Sequence, residues 1–497
     1  MLLALPYLRL KANYLQLKFS PIEWLGWSIA VSLGIVLMVT PIVQHGMFID
    51  GLAYVNIAKN IAAGDAGVWL PYVDVGQEVF YGHPPLVFYL ESLFFRLFGD
   101  GLHTEDVYNG VILLLTILGL FLLWRKAMPA YKHYFFVPLL LFVLCQEVQL
   151  RYPNNMLECT LSMFILFGVY AVVKFQEERE GVASVCAGLA AFLGFLCKGP
   201  VALFILATGG LYAAIVQRRF SLGALTIPTM VFTACLGTLC LASPAAAAYL
   251  YEYFDVQLVT ALSGKGSGNI ANSRYSILYK LVKHNVIQLA LLGIAVYAGS
   301  RNSSAVQEKT SRQRRLAWFF TAVGLSAVLP IIASTKQASY YQLPSLPYFY
   351  LAMSIVIVPV LHGFVKSRTL PKRTGTVLTV VAATLMTVSL AFTLANVNTI
   401  NRRNIKHIAD VDAIAAIMQP AGATYYHLIT EAEPPHLQNS FTYYLAAFLN
   451  RYHDIYATKE PRTDYWLDLR QQDGELLCEP QGELLYQSQK ACFGSNE

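Results

Sequence analysis

The residues best suited to chemistry are one acid and four bases. Asp50 stands seven residues after an apolar run and opens the segment IDGLAYVNIAKNI; His83, Arg151, Lys198 and Lys336 stand singly at the ends of other apolar runs. A carboxylate so placed can take a proton from an attacking hydroxyl. Lone cations can hold a phosphate and stabilise the charge that develops on it as a leaving group. Each residue also has a plainer role open to it. Asp50 suits a helix N-cap, Lys336 and Arg151 suit interfacial anchors, and His83 before two prolines suits a turn. Lys198, in an apolar stretch, suits a snorkelling side chain that avoids the roughly 2.5–3.5 kcal/mol of a mid-membrane charge. What favours chemistry is that all five collect on one face of a membrane.

That face follows from the elements that must hold them. Of 497 residues, 56% are hydrophobic and 13% charged, about half the charged fraction of a soluble domain. With a mean hydropathy of +0.48, the chain is an integral membrane protein. Apolar runs near 24–43, 107–124, 134–149, 156–173, 182–197, 199–216, 224–248, 276–298, 316–334, 340–361 and 375–397 predict about eleven transmembrane helices. The net charge of +6 is distributed by topology. Basic clusters such as Arg125, Lys126 and Lys132, or Lys366, Arg368, Lys372 and Arg373, fall in alternate short loops, which the positive-inside rule places in the cytoplasm together with the N-terminus. The pattern argues against nucleic-acid binding. It also puts residues 43–106 outside as a first periplasmic loop, with Leu86–Phe98 as an interfacial helix.

Residues 1–397 thus form the membrane domain. Residues 398–497 differ, with 8 Lys+Arg against 13 Asp+Glu. Helical patterns at 404–418 and 439–450 alternate with strand patterns at 423–428, 453–458, 464–470 and 482–489, so a small C-terminal α/β domain is expected outside. Six of the eight cysteines lie in or beside apolar segments. Cys478 and Cys492 stand together in the hydrophilic tail, where an oxidising compartment would allow a disulfide.

Five stretches, FIDGLAYVNIAKNI, YGHPPLVFYLESLFFRLFGD, RYPNNMLECTLSMFILF, GFLCKGPVALF and STKQASYYQLPSLPYFYLA, resemble in type and order the polytopic glycosyltransferases of the GT-C class. The resemblance is nearest to the lipid A aminoarabinose transferases and the protein O-mannosyltransferases. It implies a sugar donor on a polyprenyl phosphate, inversion at the anomeric carbon and Asp50 as the catalytic carboxylate. Lys198, Lys336, Arg151 and His83 would surround the donor phosphate. Asn155, Glu158, Tyr54, Tyr81 and Tyr341 complete the expected substrate-binding set. The chain departs from the family in three places. His83 follows Gly82 where an acid and a lysine are common, Asn154 and Asn155 stand where an aspartate is common, and Gln257 ends a stretch that often holds a histidine. Glu158, one turn beyond Asn155, is the candidate second acid, and no metal or other cofactor is expected to be required.

The expected partners are a polyprenyl-phosphate sugar and an acceptor that is a lipid such as lipid A, a glycan or a protein, in a bacterial plasma membrane. A secondary transporter or flippase is the alternative, but its charges would lie near the midplane and its halves would repeat. A glycan polymerase or ligase would carry a larger, more basic outer loop than 249–275.

Overall fold

The computed structural model describes residues 20–73, 79–259, 273–301, 311–334, 336–367, 371–429, 440–458, 463–468, 471–472, 475–476, 483–488 and 491–495. Among them, eight helical segments are long and apolar enough to cross a membrane, or ten when two sharply bent pairs each count as one crossing. The first, Pro21–Gly34, starts where its sequence says it should. Ser20 caps it, Glu23 returns a bond to the Ser20 amide at 2.7 Å, and Pro21 fills the first helical position. A π-helical turn, Ile35–Val39, carries it on to Ile42.

One of the eight, Glu180–Gln217, folds back on itself. Helix Glu180–Lys198 ends at Gly199, whose φ of +71° reverses the chain. After the return leg, Gln217 donates to the Gln176 carbonyl at 3.3 Å, and Arg219 and Ser221 reach Glu180. Both ends of this segment therefore lie at one face, and it makes two crossings, as expected for 182–197 and 199–216. That hairpin is the difference between ten crossings and the eleven expected.

Two runs expected to be single spans are broken. Pro129–Val143 turns through 71° into Gln146–Asn154, and Ser276–His284 turns through 65° into Val286–Arg301. The first break falls at Cys145, whose backbone is extended. The second falls at Asn285, buried with its amide on the Leu281 carbonyl and its oxygen taking the Tyr350 hydroxyl at 2.7 Å. The 224–248 run also breaks, at Ser243, which caps Pro244–Tyr253. All three breaks lie at the face that carries the first loop. Each sets a short helix at the helix ends instead of continuing a span.

That loop holds two helices, Ile49–Ala63 and Leu86–Phe98. Leu86–Phe98 buries Val87, Phe88, Glu91, Ser92 and Phe95, one face at helical spacing, and ends at Gly99. The tail packs on both. Its strands run in the order Tyr456–Thr458, Tyr425–Ile429, Tyr465–Asp468, Cys492–Ser495, Glu483–Gln487; the first three are mutually parallel and the last two join antiparallel. Helices Ile405–Met418 and Ser440–His453 complete it. The strand Cys492–Ser495 is additional to the sequence expectation; it fills the sheet position between two strands that were expected. Cys492 is disulfide-bonded, and its expected partner Cys478 lies outside the described residues.

The tail does not have a core of its own alone. Met47, Leu52, Val55 and Ala58 of the first loop, with Phe95, join Ile408, Val411, Ile414, Tyr426, Leu445, Phe448 and Phe493 in one apolar cluster. A domain boundary at 398 therefore marks a change in composition, while the packing unit includes the loop helix Ile49–Ala63.

Candidate active site

Asp50 is the second residue of helix Ile49–Ala63, not its cap. Phe48 occupies the cap position with no side-chain capping bond. The first amides are satisfied from elsewhere: the Phe48 N–H donates to Asn154 Oδ1 at 2.6 Å and the Ile49 N–H to the Tyr444 hydroxyl at 3.1 Å. Gly51 lies so close to the turn 152–154 that a Cβ there would sit 2.0 Å from the Asn154 carbonyl oxygen. Relieved of capping, the Asp50 carboxylate makes no hydrogen bond or ion pair among the described residues. Burial raises its pKa, while Lys198 and then Arg151 pull it back down. It is the arrangement of a base whose charge is supported by cations it does not touch.

Lys198 arrives at the turn of the hairpin, and Glu158 at the first turn of helix Leu157–Phe175 forms an ion pair with it. Lys198 Nζ also lies 4.9 Å from the Tyr340 ring centre and 5.6 Å from that of Tyr341. Arg151, at the end of the short helix Gln146–Arg151, meets the same Tyr340 ring at 5.0 Å and bonds Glu147 Oε2 at 3.0 Å. Tyr340 thus has two cations within cation–π distance of its ring.

A cavity of about 510 Å³ opens beside this cluster. Its polar wall is Lys198, Lys336, His83, Tyr253, Tyr341, Gln257, Ser326 and Ser334, and the rest is largely apolar, including Val201, Leu203, Phe204, Pro330 and Ile331. The two cations in it differ. Lys198 is partnered by Glu158, whereas Lys336 forms no ion pair among the described residues.

The structure brings together Lys198, Lys336, His83 and Tyr341 in this cavity, with Asp50 and Arg151 in electrostatic and aromatic contact with its Lys198 and Tyr340 flank. Arg151 and Glu158 are not in the cavity lining and meet it only through Tyr340 and Lys198, and four further expectations change. His83 lines the cavity but does not supply charge: burial, then Lys198 and Lys336, hold its pKa well below the usual value, so it is a neutral donor or acceptor. Asn155 is buried in a left-handed turn with its amide on both oxygens of Glu91 at 2.9 Å, so it braces the turn instead of facing the cavity. Tyr54 is buried edge-on to His83, 5.9 Å between ring centres, and supports that ring from behind. Tyr81 packs against Tyr249, outside the cavity lining.

Sequence reasoning missed Glu147, Glu91, Tyr340, Tyr253 and Tyr444. Glu147 stands four residues before Arg151, an ion-pair spacing visible in QEVQLR. The others act through tertiary contacts that carry no local signal. No group of three or more His, Cys, Asp or Glu side chains converges among the described residues.

Residues 82–247 match the family model described as dolichyl-phosphate-mannose-protein mannosyltransferase, a stretch that includes His83, Arg151, Glu158 and Lys198. No curated protein matches the chain in sequence. In fold the chain is similar to ArnT from Cupriavidus metallidurans bound to undecaprenyl phosphate, with a TM-score of 0.59 and 14% identity over 95% of this chain and 97% of that one. Apo ArnT gives 0.58 and 13% over the same shares. The apo oligosaccharyltransferase of Archaeoglobus fulgidus gives 0.50 and 13%, covering 90% of this chain and 65% of that one.

Proposed function

We propose that this chain, which has the fold of the GT-C glycosyltransferases, is an inverting glycosyltransferase that moves a sugar from a polyprenyl phosphate to an acceptor hydroxyl. The observation that carries the proposal is a cavity with an apolar wall and two lysines, Lys198 and Lys336, beside the Asp50 carboxylate, which feels the charge of Lys198 and makes no bond of its own among the described residues. An apolar wall suits an isoprenoid, and the lysines suit its phosphate. ArnT, similar in fold, was crystallised with undecaprenyl phosphate.

In the proposed reaction the acceptor oxygen attacks the anomeric carbon as Asp50 takes its proton. The bond from that carbon to the phosphate oxygen breaks on the opposite side, and its electron pair leaves with the polyprenyl phosphate. A single displacement inverts the anomeric centre. Lys336 and Lys198 meet the charge gained by the leaving phosphate. Glu158 holds Lys198 in place while the site is empty, and an arriving phosphate competes with it. The loop and tail face the periplasm, with the basic loops in the cytoplasm of the plasma membrane. The acceptor is a lipid, glycan or protein at that face.

Proteoliposomes containing the purified chain and a panel of labelled polyprenyl-phosphate sugars test the proposal. A transferase releases free polyprenyl phosphate in step with labelled acceptor. Movement of intact donor between leaflets without cleavage would instead establish the transporter.

A further inference from the structure

Among the described residues the tail makes no hydrogen bond or ion pair to the Asp50 carboxylate, yet it holds what stands on either side of it. The chain entering the loop is laced to the chain entering the tail: Asn398 N–H donates to the Val43 carbonyl at 3.0 Å, His45 N–H to Thr399 at 2.9 Å, and Asn401 N–H to His45 at 2.8 Å. Two residues on, Arg403 donates to Asn154 Oδ1 at 2.6 Å, the same oxygen that takes the Phe48 N–H. Its guanidinium lies 5.2 Å from the Phe48 ring centre, and Arg151 lies 5.7 Å from that ring. Tyr444 of the tail accepts the Ile49 N–H. On the far side of Asp50, Leu52 and Val55 are buried in the tail's core.

These contacts fix the residues immediately before Asp50 by hydrogen bonds and those after it by packing. The carboxylate itself makes no hydrogen bond or ion pair among the described residues. We propose that the tail is part of the active site: Arg403 and Tyr444, acting with Asn154, are positioning residues that set the direction in which Asp50 meets the acceptor. The inference rests on Asp50 being the base. It explains why Asn154 serves this chain as an amide. Its oxygen accepts from both Phe48 and Arg403 while its nitrogen donates to the Leu150 carbonyl at 2.7 Å, and a carboxylate could not make that last bond.

The experiment compares full-length Tyr444→Phe, Arg403→Gln and Asn154→Ala with the unaltered protein and with Asp50→Asn. It measures kcat, donor KM and binding of undecaprenyl phosphate. Tyr444→Phe keeps the ring and its packing and removes one acceptor, so folding is preserved. Misplacement of a catalytic group by about 1 Å costs up to roughly 100-fold in rate. The expected result is a fall in kcat of roughly 10-fold to 100-fold for each variant, with donor KM and undecaprenyl phosphate binding held within about 2-fold. In an Asp50→Asn background the same substitutions should remove nothing further. Unchanged kcat in Tyr444→Phe and Arg403→Gln, beside an inactive Asp50→Asn, would overturn the positioning role and leave the proposed function standing. Parallel loss of kcat and phosphate binding would also overturn it, in favour of general support. Full activity of Asp50→Asn would overturn both.

Discussion

At the scale of single residues, the two lysines of the cavity are not equivalent. Lys198 is already neutralised by Glu158, and Lys336 forms no ion pair among the described residues, so Lys336 should bind phosphate more strongly. Lys336→Ala should weaken undecaprenyl phosphate binding by about 1.5–3 kcal/mol, the worth of a charge-assisted bond, and Lys198→Ala by less; calorimetric titration in detergent would show the order. The charge around Asp50 makes a second prediction. Arg151 lowers the Asp50 pKa against the rise caused by burial, so Arg151→Gln should raise it further. The acid limb of the kcat–pH profile should then move to higher pH, and no movement or a downward one would contradict the assignment. Asp50 and the cations were legible in the sequence because isolated charges beside apolar runs are costly and few. The neutrality of His83 and the bracing role of Asn155 were not, since burial and a left-handed turn exist only in the folded chain.

At the scale of elements, the helices were legible and their breaks were not. An apolar run of spanning length announces a crossing, but nothing in 134–149 or 276–298 says that Cys145 or Asn285 ends one axis and starts another. Those breaks matter, because the first carries Arg151 to the cavity face. Helix Leu86–Phe98 has a comparable hidden feature. Its Glu91 is buried against Asn155, and desolvation lifts its pKa from 4.5 to about 8. Over that interval the folded protein holds a proton that the unfolded chain has released, so stability falls as pH rises from about 4.5 to about 8 and is level above. Glu91→Gln keeps a hydrogen-bonding group without the ionisation. Its melting temperature should therefore drop less than that of the unaltered protein between about pH 5 and pH 9; equal slopes would show that Glu91 does not govern the trend.

At the scale of the whole molecule, the tail was legible as a separate composition but not as a partner of the loop. Its alternating helices and strands were readable; its contribution to the loop's core depends on contacts between residues 300 or more apart in sequence, such as Arg451 with Glu105 and Asp100. Arg451 and Glu105 are both fully buried, 2.6 Å apart, and Lys59 beside them meets Asp100 at 3.1 Å and Asp454 at 2.7 Å. Removing one partner of a buried pair leaves the other uncompensated, at about 3–5 kcal/mol. Arg451→Met should loosen the tail by that order, seen as a lower melting temperature and faster proteolysis within 398–497. The central claim remains the pairing of one carboxylate with a cationic cavity. Its most direct test is transfer from a labelled polyprenyl-phosphate sugar by Asp50→Asn beside the unaltered protein, with undecaprenyl phosphate binding measured on both. The account predicts that transfer is lost while binding persists; transfer at the unaltered rate would contradict it.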